Sequence, residues 1–161
     1  RAAFFSLRSF LELGLLTIQH SLHYLHHRQW LIETRDVSWS EMVDEASGIF
    51  ASNTVKAFAA EFSPDAPEAG TIARLAYRRA STFVHGNTSS DAYLTTPFKF
   101  SEDALELWFK TMDDARYVVS FALAMRYLPL ASRACIGSIE QMLSDELGDV
   151  RGVQSALERK P

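Results

Sequence analysis

Apolar residues recur every three or four positions along almost the whole chain, which is the period of an amphipathic helix. One stripe begins at Phe4 and continues through Leu11 and Ile18 to Leu25. No segment alternates at period two over the length of a strand. The sequence therefore predicts an all-α bundle of three long helices and several short ones, folded as a single domain over residues 1–161.

Helix boundaries are indicated by capping and helix-breaking residues. Ser101 is a good N-cap for the second long helix, and Pro129 ends it. We expect the third long helix over residues 131–147. A shorter helical pattern covers residues 71–84, and it follows the clearest loop of the chain, residues 63–70.

Length and charge exclude several classes of protein. A chain of 161 residues with 47% hydrophobic residues can bury one core and is not disordered. The net charge is −4, so a nucleic acid would have to bind a local basic patch rather than a basic protein as a whole. The lone Cys135 excludes an internal disulfide and a zinc site built from several thiolates. We expect Cys135 in the core and the protein in the cytoplasm.

The apolar segment from Phe4 to Leu25 is interrupted by charged and polar side chains, including Arg8 and Glu12. It lacks the roughly 20 uninterrupted apolar residues that a spanning helix needs. No small-residue cleavage site follows it, as a secretory signal would require. We therefore predict a core helix and no association with a membrane.

The stretch from Tyr77 to Asn87 contains the side chains of this sequence that are best suited to a catalytic or binding site. On a helix, residues seven positions apart differ by only about 20° in direction, so Arg78 and His85 share a face. Arg74 lies one turn earlier and Ser81 lies between them. Arg79 sits about 100° from Arg78, nearer the apolar side.

This polar face combines a permanent cation with the one side chain that titrates near neutral pH. An arginine can hold a phosphate with two hydrogen bonds, and a histidine can accept or donate a proton. Arg78 and His85 are thus the smallest set of catalytic groups that metal-independent RNA cleavage needs when the ribose 2′-hydroxyl is the nucleophile. The alternative is an exposed helix face whose His85 is merely a cation near the carboxyl end of the helix.

The stretch resembles the signature of the HEPN superfamily (higher eukaryotes and prokaryotes nucleotide-binding), in which His follows Arg after four to six residues. Both Arg78-x6-His85 and Arg79-x5-His85 satisfy it. The order Tyr77, Arg78, Ser81, His85 is similar to bacterial HEPN-like proteins of unknown function. The sequence alone leaves Arg78 and Arg79 both open as the motif arginine.

The first long helix adds to this resemblance, because Arg8 and Glu12 match an Arg-x3-Glu pair of those proteins. Two positions depart from the superfamily pattern. Arg79 or Ala80 follows the motif arginine where Asn, Asp or His is common, and Asn87 stands where a toxin subgroup has Tyr.

The resemblance implies a dimeric HEPN-like helical bundle, many relatives of which are endoribonucleases of bacterial toxin–antitoxin, CRISPR or phage-defence systems. It implies RNA as substrate and an antitoxin or partner domain as a further partner. It assigns phosphate binding to Arg78 and acid–base catalysis to His85. The supporting contacts to substrate would come from Arg74, Arg79, Ser81 and Asn87, and the structural support from Arg8, Glu12 and Tyr77.

Non-catalytic HEPN relatives exist, so a helical dimerisation or ligand-sensing module is the alternative. The acidic net charge favours this alternative, because phosphate contacts usually accompany basic surface.

For Arg8 and Glu12 two interpretations stay open. They form either an ordinary surface pair or a half-buried pair in which Glu12 orients Arg78 or another arginine.

Four histidines cluster around the end of the first stripe. His20, His23 and His27 share a helix face with ligand-like spacing, and His26 is adjacent. A closed metal site would need a fourth ligand that the segment does not supply, so a solvated or interface face is favoured. No glycine-rich phosphate loop occurs either. We predict neither a metal nor a cofactor.

Overall fold

The computed structural model describes residues 2–85 and 101–158, and all regular structure within them is helical. This confirms the predicted all-α fold. The helices, in chain order, are α1 (Ala2–Leu22), α2 (Tyr24–Leu31), α3 (Trp39–Met42), α4 (Ser52–Ala59), α5 (Ala66–His85), α6 (Glu102–Tyr127), α7 (Arg133–Ser138), α8 (Glu140–Leu147) and α9 (Arg151–Glu158). Short 3-10 turns follow α4 (Ala60–Phe62) and α6 (Leu128–Leu130).

Helices α1, α5 and α6 form the centre of the fold. Phe4 at the start of α1 stacks on Phe83 near the end of α5, with ring centroids 3.9 Å apart, so these two helices are antiparallel. Ser21 at the end of α1 accepts a hydrogen bond from Arg126 at the end of α6. Helices α1 and α6 therefore run parallel, and α5 packs against both of them and runs in the opposite direction.

The side of α5 that faces the core is built almost entirely of alanine. Of the larger apolar residues of α5, Phe83 is buried near the end of the helix, whereas Leu75 is exposed. Short side chains at a helix contact allow the backbones to approach closely. The buried alanines are Ala66, Ala69, Ala73, Ala76 and Ala80.

Gly14 gives α1 and α6 a similarly close approach. A methyl group on Gly14 would lie 2.7 Å from Cγ2 of Val119, closer than side-chain carbons normally come. Val119 is buried and β-branched, so its side chain has little freedom to move aside. The two parallel helices therefore cross where one of them lacks a side chain.

The structure corrects three predicted boundaries. The third long helix predicted over residues 131–147 is two short helices, α7 and α8, because the chain turns at Ile139. The predicted loop over residues 63–70 is helical from Ala66 onward, since Pro67 lies in the first turn, where its missing N–H interrupts no helical bond. The first stripe breaks at His23.

A predicted helix cap is confirmed, whereas two apolar residues expected in the core are exposed. The Ser101 hydroxyl caps α6 as predicted and accepts a hydrogen bond from the backbone N–H of Ala104 at 3.2 Å. Cys135 is exposed rather than buried, because it lies on the outer side of the short helix α7. Leu25 is also exposed, since α2 turns away from the line of α1.

In the described ranges, no helix has the length and apolarity needed to span a membrane.

The C-terminal helix α9 packs on the aromatic core through a glycine. A methyl group on Gly152 would lie 2.1 Å from Cδ2 of Phe62, whose side chain is almost completely buried. Phe62 in turn packs edge-on against Phe121 of α6, with ring centroids 5.6 Å apart. The Phe62 ring therefore has no free space to accommodate a larger residue at position 152.

We predict that Gly152→Ala lowers the free energy of unfolding by about 1–3 kcal/mol, since overpacking a filled core costs that much. Gly137→Ala in α7 is the matched control, because a methyl group there meets no atom within 4 Å. The control should be neutral, or stabilising by up to about 1 kcal/mol. Urea denaturation measures both, and equal effects of the two substitutions would contradict this packing.

Candidate nucleotide-binding groove

A groove of about 550 Å³ lies between α5 and the chain around α3, and we call it the Arg78 groove. It contains three of the four residues that the sequence places on one polar face: Arg74, Arg78 and Ser81. Its complete lining is Trp39, Ser40, Val43, Asp44, Glu45, Arg74, Tyr77, Arg78 and Ser81.

Among the residues that the structure describes, Arg78 is the unpaired cation of this groove. Its side chain is exposed, and it makes no hydrogen bond or ion pair with any residue in the described parts of the chain. An unpaired guanidinium at the edge of a groove is available to an anionic ligand and has five N–H donors for it.

The two neighbouring arginines are neutralised by carboxylates. Arg74 Nη2 lies 3.2 Å from Glu45 Oε1, and Arg74 Nη1 donates to the backbone oxygen of Val43 at 3.4 Å. Arg79 forms a half-buried ion pair with Asp114 of α6 and does not line the groove. Of the two candidates for the motif arginine, Arg79 has a carboxylate partner within residues 2–85 and 101–158, and Arg78 has none there.

Tyr77 connects α1 and α5 directly beneath the groove. Its hydroxyl accepts a hydrogen bond from Arg8 Nη2 at 2.8 Å and donates one to Glu12 Oε1 at 3.0 Å. Arg8 and Glu12 also pair with each other at 3.2 Å. The ring of Tyr77 stacks on the indole of Trp39, with centroids 4.0 Å apart and planes 7° from parallel.

This network revises the expected role of Glu12. The pair with Arg8 is half-buried, as one of the two interpretations held, but Glu12 contacts Tyr77 rather than an arginine of α5. Burial raises the pKa of Tyr77, and the adjacent Glu12 carboxylate raises it further. The phenol therefore stays protonated at neutral pH and can donate its hydrogen bond to Glu12.

The remaining predicted residues lie along α5 and beyond it. Ser81 lines the groove with its hydroxyl shielded from solvent. His85 is the last residue of α5, and the helix is continuous from Arg78, so the two Cα positions are about 10 Å apart along its axis. Asn87 lies outside the described residues.

Sequence reasoning missed the opposite wall of the groove, which Trp39, Asp44 and Glu45 provide. These residues lie in and after the short helix α3, where no periodic pattern indicates what they pack against. A serine before a short helix is the local signal that could have placed α3: the Ser38 hydroxyl caps this helix and accepts a hydrogen bond from the backbone N–H of Glu41 at 3.3 Å.

The four histidines form two ring pairs at the corner between α1 and α2: His20 and His27 meet edge to face, and His23 and His26 are stacked. The ring centroids of His20 and His27 are 5.0 Å apart, and those of His23 and His26 are 4.9 Å apart. Within residues 2–85 and 101–158, no three His, Cys, Asp or Glu side chains are arranged to hold a metal ion. Because His23 pairs with His26, it does not join His20 and His27 in one ligand set.

Both ring nitrogens of His20 are shielded from solvent and have no hydrogen-bond partner in the described structure. Burial lowers the pKa of His20, and the nearby His27 and His26 lower it further. Burial likewise lowers the pKa of His23, with His26 and Arg35 adding to the effect. Folding therefore favours the neutral imidazoles of His20 and His23.

Comparisons with known protein families, curated proteins and solved structures found no match to this chain. The geometry of the groove is consequently the only observation that bears on its role beyond the sequence motif.

We predict that Tyr77→Phe lowers the free energy of unfolding by about 1–2 kcal/mol, because the Arg8 and Glu12 side chains lose their shared partner. Tyr24→Phe is the control, since Tyr24 is 73% exposed and its hydroxyl makes no hydrogen bond within the described residues. Thermal and urea denaturation report the difference, and an unchanged Tyr77→Phe variant would show that the network contributes nothing to stability.

Stability should also fall as the pH is lowered from about 7.5 to about 5.5. The unfolded histidines titrate near pH 6.5, whereas the folded pKa values of His20 and His23 are lower, so below pH 6.5 the unfolded chain binds more protons. Urea midpoints across this range measure the slope. His20→Gln should make it shallower, because the variant lacks one of the two groups whose pKa falls on folding. Identical slopes in wild type and His20→Gln would contradict the prediction.

Proposed function

We propose that this chain is a metal-independent endoribonuclease or RNA-processing domain that uses Arg78 to hold the scissile phosphate. The observation that carries the proposal is the state of Arg78, the one groove-lining arginine without a carboxylate partner in the described structure. Arg74 and Arg79 pair with carboxylates, so within the described residues Arg78 is the arginine of this part of α5 that stays available to an anionic ligand.

The proposed reaction uses the RNA's own nucleophile. The 2′-hydroxyl attacks the adjacent phosphorus, the bond from phosphorus to the 5′ oxygen breaks, and a 2′,3′-cyclic phosphate and a 5′-hydroxyl end result. Arg78 stabilises the charge that develops on the phosphoryl oxygens. His85 acts as the acid or base that moves one proton, a role that its place two turns further along α5 supports.

Tyr77 supports this assignment by fixing the helix next to Arg78. Its hydroxyl is held from two sides by side chains of α1, and its ring is held by Trp39. A rigid helix places an attached side chain more reproducibly than a loop does. Arg8, Glu12 and Tyr77 are therefore proposed as positioning residues rather than catalytic ones.

The wider setting of the proposal rests on the HEPN resemblance alone. It comprises a homodimer in which two Arg/His pairs share one cleft, an antitoxin or partner domain, and a bacterial defence or toxin module in the cytoplasm. None of these is needed for the groove itself to bind a phosphate.

A second candidate is a non-catalytic module that binds a nucleotide or a partner through the same groove. The observation in its favour is that carboxylates neutralise two of the three neighbouring arginines, in a chain with a net charge of −4. A long RNA usually requires several phosphate contacts, whereas a small ligand can be held by one arginine.

The test is cleavage of labelled single-stranded RNA and transfer RNA in EDTA by the wild type, Arg78→Ala and His85→Ala. The wild type should produce cyclic-phosphate ends. Each variant should cleave at least about 10²-fold more slowly at unchanged thermal stability, since acid–base and phosphate contacts contribute factors of that size. Lys56→Ala is the control, because Lys56 is an exposed cation on α4, outside the groove.

Two results would overturn the nuclease proposal. Equal cleavage by the wild type, Arg78→Ala and His85→Ala would indicate a contaminating nuclease. A folded wild type that binds RNA through Arg78 without cleaving it would establish the binding module instead.

A further inference from the structure

The Arg78 groove contains two charges of opposite sign that no ion pair within the described ranges neutralises. Arg78 is the cation, and Asp44 on the opposite wall is the anion. The other two charged residues of the lining, Arg74 and Glu45, pair with each other at 3.2 Å. A ligand that fills the groove would therefore meet one free cation and one free carboxylate.

The carboxylate of Asp44 is oriented by its own loop. Its Oδ1 accepts hydrogen bonds from the backbone N–H groups of Ala46 and Ser47, at 3.0 and 2.8 Å, and from the Ser47 hydroxyl at 2.9 Å. All three bonds involve one oxygen, so Oδ2 keeps its capacity to accept. The hydroxyl and N–H donors of Ser47, followed by the N–H of Ala46, lower the pKa of Asp44, and the group is ionised at neutral pH.

An aromatic surface lies in the same groove. Trp39 is half-buried and stacks with one face on Tyr77, which fixes the plane of the indole. Aromatic side chains next to a phosphate-binding arginine are the usual means by which proteins hold single-stranded bases. The groove thus contains a cation that can bind a phosphate, an aromatic ring on which a base can stack, and a carboxylate that can accept a hydrogen bond.

We propose that the Arg78 groove selects the base attached to the bound phosphate, accepting bases that carry an exocyclic amino group and disfavouring uracil. This inference rests on the proposed phosphate-binding function of Arg78. Asp44 can accept a hydrogen bond from the amino group of cytosine, adenine or guanine. Uracil has no amino group, and its N–H is flanked by two carbonyl oxygens that a carboxylate repels.

Cytosine and uracil are the best ligands for the test, because they are pyrimidines of the same size that differ mainly at one amino or carbonyl group. Short oligodeoxycytidylate and oligodeoxyuridylate lack the 2′-hydroxyl, so the proposed reaction cannot consume them. Calorimetric titration of the full chain at pH 7.5 should show at least about fivefold tighter binding of the cytosine oligomer.

Variants separate the selection of the base from the binding of the phosphate. Asp44→Asn should abolish the difference between the oligomers, since the amide can retain the turn to Ser47 but has lost the charge. Asp36→Asn, an exposed acid outside the lining, is the matched control and should preserve the difference. Arg78→Ala should weaken the binding of both oligomers.

The outcomes distinguish the two proposals. Equal binding of both oligomers that still depends on Arg78 overturns the selection of the base and leaves the phosphate site intact. A preference for cytosine that survives in Asp44→Asn also overturns it, because another group must then read the base. No binding at millimolar concentration, or binding that Arg78→Ala does not weaken, overturns both.

Discussion

The close packing of α5 against the core is the constraint on which the rest of this structure depends. Small side chains on the inner face of α5 bring the helix near α1 and α6, and this fixes its rotation about its own axis. Once that rotation is fixed, Arg74 and Arg78 must lie on the outer edge of the helix. The inner face consists of Ala66, Ala69, Ala73, Ala76 and Ala80.

Charge pairing then decides which of the exposed cations is available. Arg79 faces α6 and meets Asp114, and Arg74 meets Glu45 across the groove. Each pair makes only a modest contribution to stability because it is partly exposed. For the proposed function the pairing matters more than for stability. Each ion pair neutralises an arginine that would otherwise compete with Arg78 for an anionic ligand.

Much of the helical architecture could be predicted from the sequence, whereas its interruptions could not. The stripe through Leu11 and Ile18 predicted most of α1, and the capping serine predicted the start of α6. The turn at Ile139 carries no proline or glycine of its own, so a continuous helix was the expected result. The size of an apolar side chain was also a poor guide to the core, because Leu75 of α5 is exposed whereas the smaller Ala76 next to it is buried.

The sequence by itself determined the helical class and the shared face of Arg74, Arg78 and Ser81, because both follow from a local period of 3.6 residues. Only the tertiary structure decided that Trp39 and Asp44 form the opposite wall, since they come from a segment some thirty residues earlier that no local pattern connects to α5. Tertiary contacts also determined which arginine stayed unpaired. Local geometry is encoded in neighbouring residues, whereas the partner of a charge depends on how distant segments pack.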